Sequence, residues 1–188
     1  MSLFGEKLHE YVDKFKHEEG YFVRDLENIK FFSEYPDNTN VDSVMLKLSA
    51  INHADIERLY ALKPMADHIV SLNIDPRLRN NDLTIVEEIA KISLHHKEYC
   101  LLNFASTYCN YHKPGVFPIF SEQHIDFYEA YNLEHHLSKD VNTFGYVEFK
   151  NTLDDMLTRY HLKDQLNYFE ARKLGWLYLD KIIAESTG

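Results

Sequence analysis

Cysteine is nearly missing from this chain, glycine and proline are sparse, and no apolar run approaches the length needed to cross a bilayer. Two cysteines, Cys100 and Cys109, give no disulfide framework. On one helix they would sit about 13 Å apart along the axis and about half a turn apart around it. A disulfide needs Cα atoms within about 7 Å, so both are read as reduced thiols. Six glycines and five prolines in 188 residues disfavour a turn-rich all-β fold. With no stretch near about 18 apolar residues, no membrane partner is expected. The opening MSLFGEKLHEYVDKF is charged and amphipathic and lacks the pattern of a secretory signal, so a cytoplasmic location is expected.

The motifs of several chemistries are missing too. There is no His-Glu-x-x-His, no Cys-x-x-Cys, no glycine-rich phosphate loop and no Gly-x-Ser-x-Gly elbow. Hence neither a metal nor another cofactor is expected, despite eleven histidines. The doublets His95-His96 and His135-His136 chelate poorly if helical, because adjacent side chains diverge by about 100°.

What the chain does have is apolar and aromatic mass: 45% hydrophobic residues, with 12 Phe and 13 Tyr. That excludes disorder and allows a core without staples. Thirty acidic against twenty basic residues leave a net charge of -10, which opposes non-specific attraction to nucleic acid.

Helical spacing dominates. Phe4, Leu8, Tyr11, Val12 and Phe15 predict a helix over 3–17. Phe22, Val23, Leu26, Ile29 and Phe32 predict a second, ending before the loop Pro36–Asn40. Further helices are expected over 42–52, 55–62 and from Pro64 through Leu72, followed by a loop or single turn over 73–79. Asp82 is read as the N-cap of a helix over 83–93, and another runs from Tyr99 to His112, stopped by Lys113-Pro114-Gly115. Val116–Phe120 reads as extended, with Ser121 capping a helix that carries Ile125, Tyr128 and Tyr131. After a polar break over 138–143, Phe149, Leu153, Met156, Leu157 and Tyr160 form the cleanest amphipathic stripe. Asp164 is read as capping a last helix through Ala184 that holds Trp176. The expected fold is all-α: one compact domain over 1–188 with about eight to ten helices and an N-terminal helical pair over 1–35.

Candidate chemistry is thin. Cys109 and His112, three apart, could share a helix face as an activated thiol, but no third orienting group is visible. Lys91, His95, His96, Lys97, Tyr99, Tyr108, Tyr111, His112 and Lys113 form a basic, aromatic stretch, with Arg77 and Arg79 as additions. Of these, Lys91, Lys97, Lys113, Tyr108 and Tyr111 are the candidates to contact a nucleic-acid backbone.

The run from Asn103 to Pro114, followed by Phe117-Pro118-Ile119-Phe120-Ser121, resembles an uncharacterised bacterial family with a pattern like "FASKYCxxHxPxxYPIYDSxV". Lys47 through Ile51-Asn52, the segment Ile74–Asp82 with Ile85–Ala90, and Leu174-Gly175-Trp176-Leu177 are similar to other elements of that family. The likeness covers residues 41–180. A helix, a loop and then a "PIYDS" helix start is in turn distantly similar to helix-hairpin-helix DNA glycosylases. That resemblance implies a helical scaffold, a lysine nucleophile and an aspartate that stabilises charge at the sugar. Here Thr107 stands at the lysine position and Ser121 at the aspartate position, with Glu122 next to it. Leu94–Glu98 contains no glycine where a backbone-gripping hairpin would need one.

Three functions follow as expectations: a non-catalytic interaction or structural module, a nucleic-acid-binding protein, or a divergent repair enzyme. Its candidate catalytic residues are Thr107, Ser121, Glu122 and His112, with Asp126 as an alternative carboxylate near Tyr108 and His112.

Overall fold

The structure is a computed structural model that describes residues 3–17, 23–51, 61–121, 125, 128–129, 131–132, 135 and 145–187. Among these residues the chain is mostly helical, as expected. In order come α1 (Leu3–Lys16), α2 (Val23–Glu34), α3 (Val41–Ile51), α4 (Leu62–Ser71), α5 (Ile74–Arg79) and α6 (Ile85–Ala90). A hairpin of β1 (Lys91–Leu94) and β2 (Lys97–Cys100) follows, then α7 (Leu102–His112), α8 (Tyr146–Arg159) and α9 (Tyr168–Thr187). The helix expected over 55–62 and the polar break over 138–143 lie outside the described residues, apart from Ala61 and Leu62. The chain forms two compact units: Val23–Phe120, and Met1–Phe22 together with Ser121–Gly188.

The 23–120 unit is organised around α7, which packs with α2, α3 and α6. Every residue from Phe104 to Tyr111 is buried. A helix covered on all sides must satisfy its own polar side chains. Ser106 and Thr107 do so by donating to the Asn103 carbonyl at 2.9 and 2.8 Å, one turn back. Asn110 donates to the Phe117 carbonyl at 2.6 Å, and Ser106 Oγ accepts the Phe120 amide at 2.9 Å. These two bonds hold the extended segment after α7 against that helix.

Two sequence expectations need correction here. Residues 74–79 form a short helix, longer than a single turn. It ends with Asn81 in the left-handed region, where the Asn81 amide reaches the Leu78 carbonyl and the Asp82 amide reaches the Arg77 carbonyl. The second correction is the hairpin, which replaces the helical readings of residues 91–93 and 99–100. Lys91 and Ser93 are exposed while Ile92 and Leu94 are buried, a period of two that no helix satisfies. His95 and His96 both have positive φ, 50° and 64°, which suits a two-residue turn between right-twisted strands. Cys100 ends β2 and Cys109 lies in α7, so they share no helix; both thiols are free.

In the terminal unit α1 packs along α9. Phe4, Leu8, Tyr11, Val12 and Phe15 form the buried face of α1. Tyr11 lies 5.0 Å from Tyr178 between ring centroids, and its hydroxyl donates to Glu185 at 2.7 Å. The α8 stripe of Phe149, Leu153, Met156 and Leu157 is buried as its spacing predicts, and Phe149 meets Tyr128 edge to face. Asp164 does not start α9. The Asn167 side chain accepts the Glu170 amide at 2.9 Å while Glu170 accepts the Asn167 amide at 2.8 Å, a reciprocal cap three residues later.

Candidate functional site

The most unusual chemistry in the 23–120 unit surrounds Asn38, in the loop between α2 and α3. This residue is almost fully buried. Its Nδ2 donates to Asp75 Oδ1 at 2.7 Å and to the Pro36 carbonyl at 3.1 Å, while its backbone amide donates to Asp75 Oδ2 at 3.0 Å. Its Oδ1 faces three groups: Lys47 Nζ at 2.9 Å, Tyr108 Oη at 2.5 Å and His112 Nε2 at 3.2 Å. Lys47 Nζ also donates to the Asp37 carbonyl at 2.8 Å and lies 5.6 Å from the centre of the Phe32 ring.

Each participant is placed by ordinary helix geometry. Lys47 lies three residues after Val44 and one before Leu48, on the buried side of α3. Tyr108 and His112 are one turn apart on α7. Phe32, near the end of α2, packs edge to face against Tyr108, Tyr111 and His112. Asp75 sits in the first turn of α5.

Burial governs the protonation of this cluster. Lys47 has no solvent exposure, and burial pushes its amine down to about 8, against the pull of Asp75 and Asp37. Burial, helped by the Lys47 charge, pushes His112 down to about 3, so its imidazole is neutral. Burial also raises the Tyr108 hydroxyl well above its usual value, with Cys109 and Asp75 adding to it. The group therefore combines a buried amine that titrates near neutral pH, a neutral imidazole, an un-ionised phenol and a carboxylate bound by amides.

The residues picked out in the sequence are dispersed. His112 and Tyr108 meet at Asn38, but Tyr108 is fully buried and Tyr111 nearly so, its hydroxyl donating to Asp25 at 2.7 Å. Thr107 is buried with its hydroxyl turned back along α7, and Ser121 is buried. Glu122 and Asp126 lie outside the described residues. Burial raises the Cys109 thiol strongly, which leaves it protonated and opposes the activated-thiol pairing with His112.

The basic residues are equally scattered. The strand register pairs Lys91 with Cys100 and Lys97 with Leu94, which puts Lys91 and Lys97 on opposite faces of the hairpin. Lys113 donates to the Arg79 carbonyl and to Asn81. Arg77 bridges Asp82, Glu88 and Thr84 at 2.7–2.8 Å, clamping α5 to α6. Among the described residues no group of three histidine, cysteine or acidic side chains is arranged to hold a metal ion, and no helix is long and apolar enough to cross a membrane. Asn38 itself escaped the sequence reading. Its only signal was a place in a loop beside Pro36, and Lys47 was visible only through the family resemblance.

Residues 7–116 match the family model HI_0787_N, described as an N-terminal domain, over more than half of the chain. The chain belongs to this family. The match takes in α1 from Lys7 onward and nearly all of the 23–120 unit, including every residue of the Asn38 cluster. The chain is also similar to a Haemophilus influenzae protein named as an uncharacterized protein, with 28% identity over 138 residues. That alignment covers 68% of this chain and 65% of the relative, so it spans less than two thirds of the relative's length. No solved structure gives a significant match.

Proposed function

We propose that this chain is a non-catalytic interaction module in which the Asn38 cluster fixes the shape of the α2–α3 connection. One observation carries the reading: the polar side chains of the segments that carry the family resemblance are buried, with their donors turned onto oxygens of the protein itself. Thr107, Tyr108, Asn110 and Lys47 all have less than 9% exposure, whereas a catalytic group has to be reached by a substrate. Large apolar side chains stand on the surface of the same unit, with Leu26 at 57% and Leu46 at 64% exposure. Exposed apolar side chains on neighbouring helices are the raw material of a partner surface. The test is affinity capture with the whole chain, comparing wild type with a Leu26→Glu, Leu46→Glu double variant of unchanged circular dichroism. A partner held by wild type and lost by the variant supports the module; no partner for either counts against it.

A second reading, nucleic-acid contact on a divergent glycosylase-like scaffold, draws support from the hairpin between α6 and α7. His95, His96 and Lys97 are exposed at its turn, with Lys91 at its base. A basic tip of this kind can follow a phosphate backbone even in an acidic protein. Anisotropy with a labelled abasic-site duplex tests it at low and physiological salt. Salt-sensitive binding that falls in a His95→Ala, His96→Ala, Lys97→Ala variant supports it, and absence of binding at micromolar protein ends it.

A further inference from the structure

We propose that Lys47 and Asn38 form an isopeptide bond by themselves, the lysine amine displacing ammonia from the asparagine side chain with Asp75 as proton carrier. The groups around one amide point to it. Lys47 Nζ lies 2.9 Å from Asn38 Oδ1. A C=O bond is about 1.2 Å long, so the amine stands within about 4 Å of Cγ, the carbon it has to reach. A small side-chain rotation over the amide face closes this to the roughly 3–3.5 Å of an attacking contact. Tyr108 Oη and His112 Nε2 face Oδ1 at 2.5 and 3.2 Å, where negative charge would develop. Asp75 Oδ1 accepts from Nδ2, the nitrogen that would depart, at 2.7 Å. Nucleophile, electrophile, oxyanion donor and proton carrier thus meet at a single side chain.

The contacts of Lys47 suit an ammonium at rest, with two oxygen acceptors and an aromatic ring beside it. From there one proton passes to Asp75. The freed lone pair makes the Nζ–Cγ bond, and the carbonyl pair moves onto Oδ1, facing the Tyr108 hydroxyl. Asp75 hands its proton to Nδ2 and takes a second one from Nζ. The Cγ–Nδ2 bond then breaks, the pair on Oδ1 rebuilds the carbonyl, and Nδ2 leaves as ammonia. The ammonia carries off the proton left on Asp75, and the third N–H of Lys47 stays on the new amide. Nothing is oxidised or reduced, and no outside reactant takes part.

Burial, which argues against turnover of an outside substrate, favours a bond made within the chain, because both partners are already in place. Lys47 and Asn38 are almost fully buried, so water does not compete for the amide carbon. Burial also lowers the Lys47 amine to about 8, which enlarges the reactive fraction. The reaction does not depend on that shift. Every lysine visits the free-amine form, and escape of ammonia makes the step one-way, so a trace of amine is enough. The product ties the loop after α2 covalently to α3, whatever partner the unit has.

The test is mass spectrometry of the full chain, digested fresh and after several days of incubation. Trypsin is expected to fail after Lys47 and to release residues 31–58 as one peptide, lighter by one ammonia. Cutting before Asp42 as well opens the backbone between the two residues, and the pieces are expected to stay joined. A succinimide at Asn38 also loses ammonia, but it leaves Lys47 open to trypsin and lets the pieces part, so that result overturns the proposal. So does cleavage at Lys47 with the full mass in both samples. Asp75→Asn of unchanged circular dichroism should slow bond formation about a hundredfold. An unchanged rate there overturns the part given to Asp75. The wild-type digest needs no variant, so a poorly folding Asp75→Asn leaves the bond itself open to refutation.

Discussion

Lys47 and Asp75 meet through the side chain of Asn38, whose oxygen faces the amine at 2.9 Å and whose nitrogen reaches the carboxylate at 2.7 Å. The amide dipole thus lies along the line from cation to anion, and one short side chain ties α3, α5 and α7 to a single loop. Asn38→Ala removes the acceptor shared by Lys47 and Tyr108 and the donor to Asp75. It is expected to destabilise the protein by about 2–4 kcal/mol, because buried partners are left unmatched. Urea unfolding of the two proteins measures it. A change below about 0.5 kcal/mol would show that the cluster is not what holds the loop.

His112 governs the acid side. Its imidazole resists protonation down to about 3, against 6.5 for the free group. As pH falls below 6.5 the unfolded chain gains a proton that the folded chain does not, so stability falls with it. By pH 5 this one group should lower stability by about 2 kcal/mol relative to pH 7. Asp82, Glu88 and Glu185, all held below their usual range by hydrogen bonds, add to acid loss only at lower pH. The slope between pH 7 and 5 should therefore flatten in His112→Asn, followed by denaturant midpoints. An unchanged slope would assign the acid sensitivity elsewhere.

The start of α9 gives a direct contrast. Asn167→Ala removes the reciprocal cap and should cost about 1 kcal/mol, while Asp164→Ala should change stability by less than about 0.5 kcal/mol. Thermal melts of the pair rank the two positions, and a reversed ranking would restore Asp164 as the cap.

Gly175 lies inside α9, and a Cβ built there would meet nothing within 4 Å. Gly175→Ala should therefore raise stability by about 0.5–1 kcal/mol through helix propensity alone. Loss of stability in the same melts would show that the space is needed by another group.

Cysteine chemistry reads burial directly. Cys100 is exposed and Cys109 is buried with its thiol pushed up. Ellman's reagent should titrate one thiol per native chain and two in guanidinium. Two fast thiols in the native protein would place Cys109 at the surface.

The helices were legible where several turns repeat one face. Phe149 to Tyr160 reads plainly because its apolar positions recur over about three turns, and α1 for the same reason. The hairpin was hidden because each strand has four residues, so alternation repeats only twice, and its turn uses His95-His96 in place of the usual Asn-Gly. At α9 both Asp164 and Asn167 are acceptable caps, and Glu170 at the third helical position decides between them. Of the Asn38 site only Tyr108 and His112, and Lys47 through the resemblance, stood out; Asn38 and Asp75 did not. The partners of Asn38 come from positions 47, 75, 108 and 112; only 108 and 112 share a helical spacing, and their meeting with 47 and 75 is a product of packing that leaves no pattern in the sequence.

The contact between Tyr11 and Glu185 spans 174 residues of chain. On a ribosome, α1 leaves the exit tunnel long before its partner helix has been translated. The whole of the 23–120 unit emerges in the meantime and has every residue of its own contacts in hand. Domains that are whole fold as they appear, and a long loop must close before distant contacts reward it. Synthesis thus imposes a schedule: the Asn38 bridge can form early, while the apolar face of α1 stays uncovered until α9 has been made.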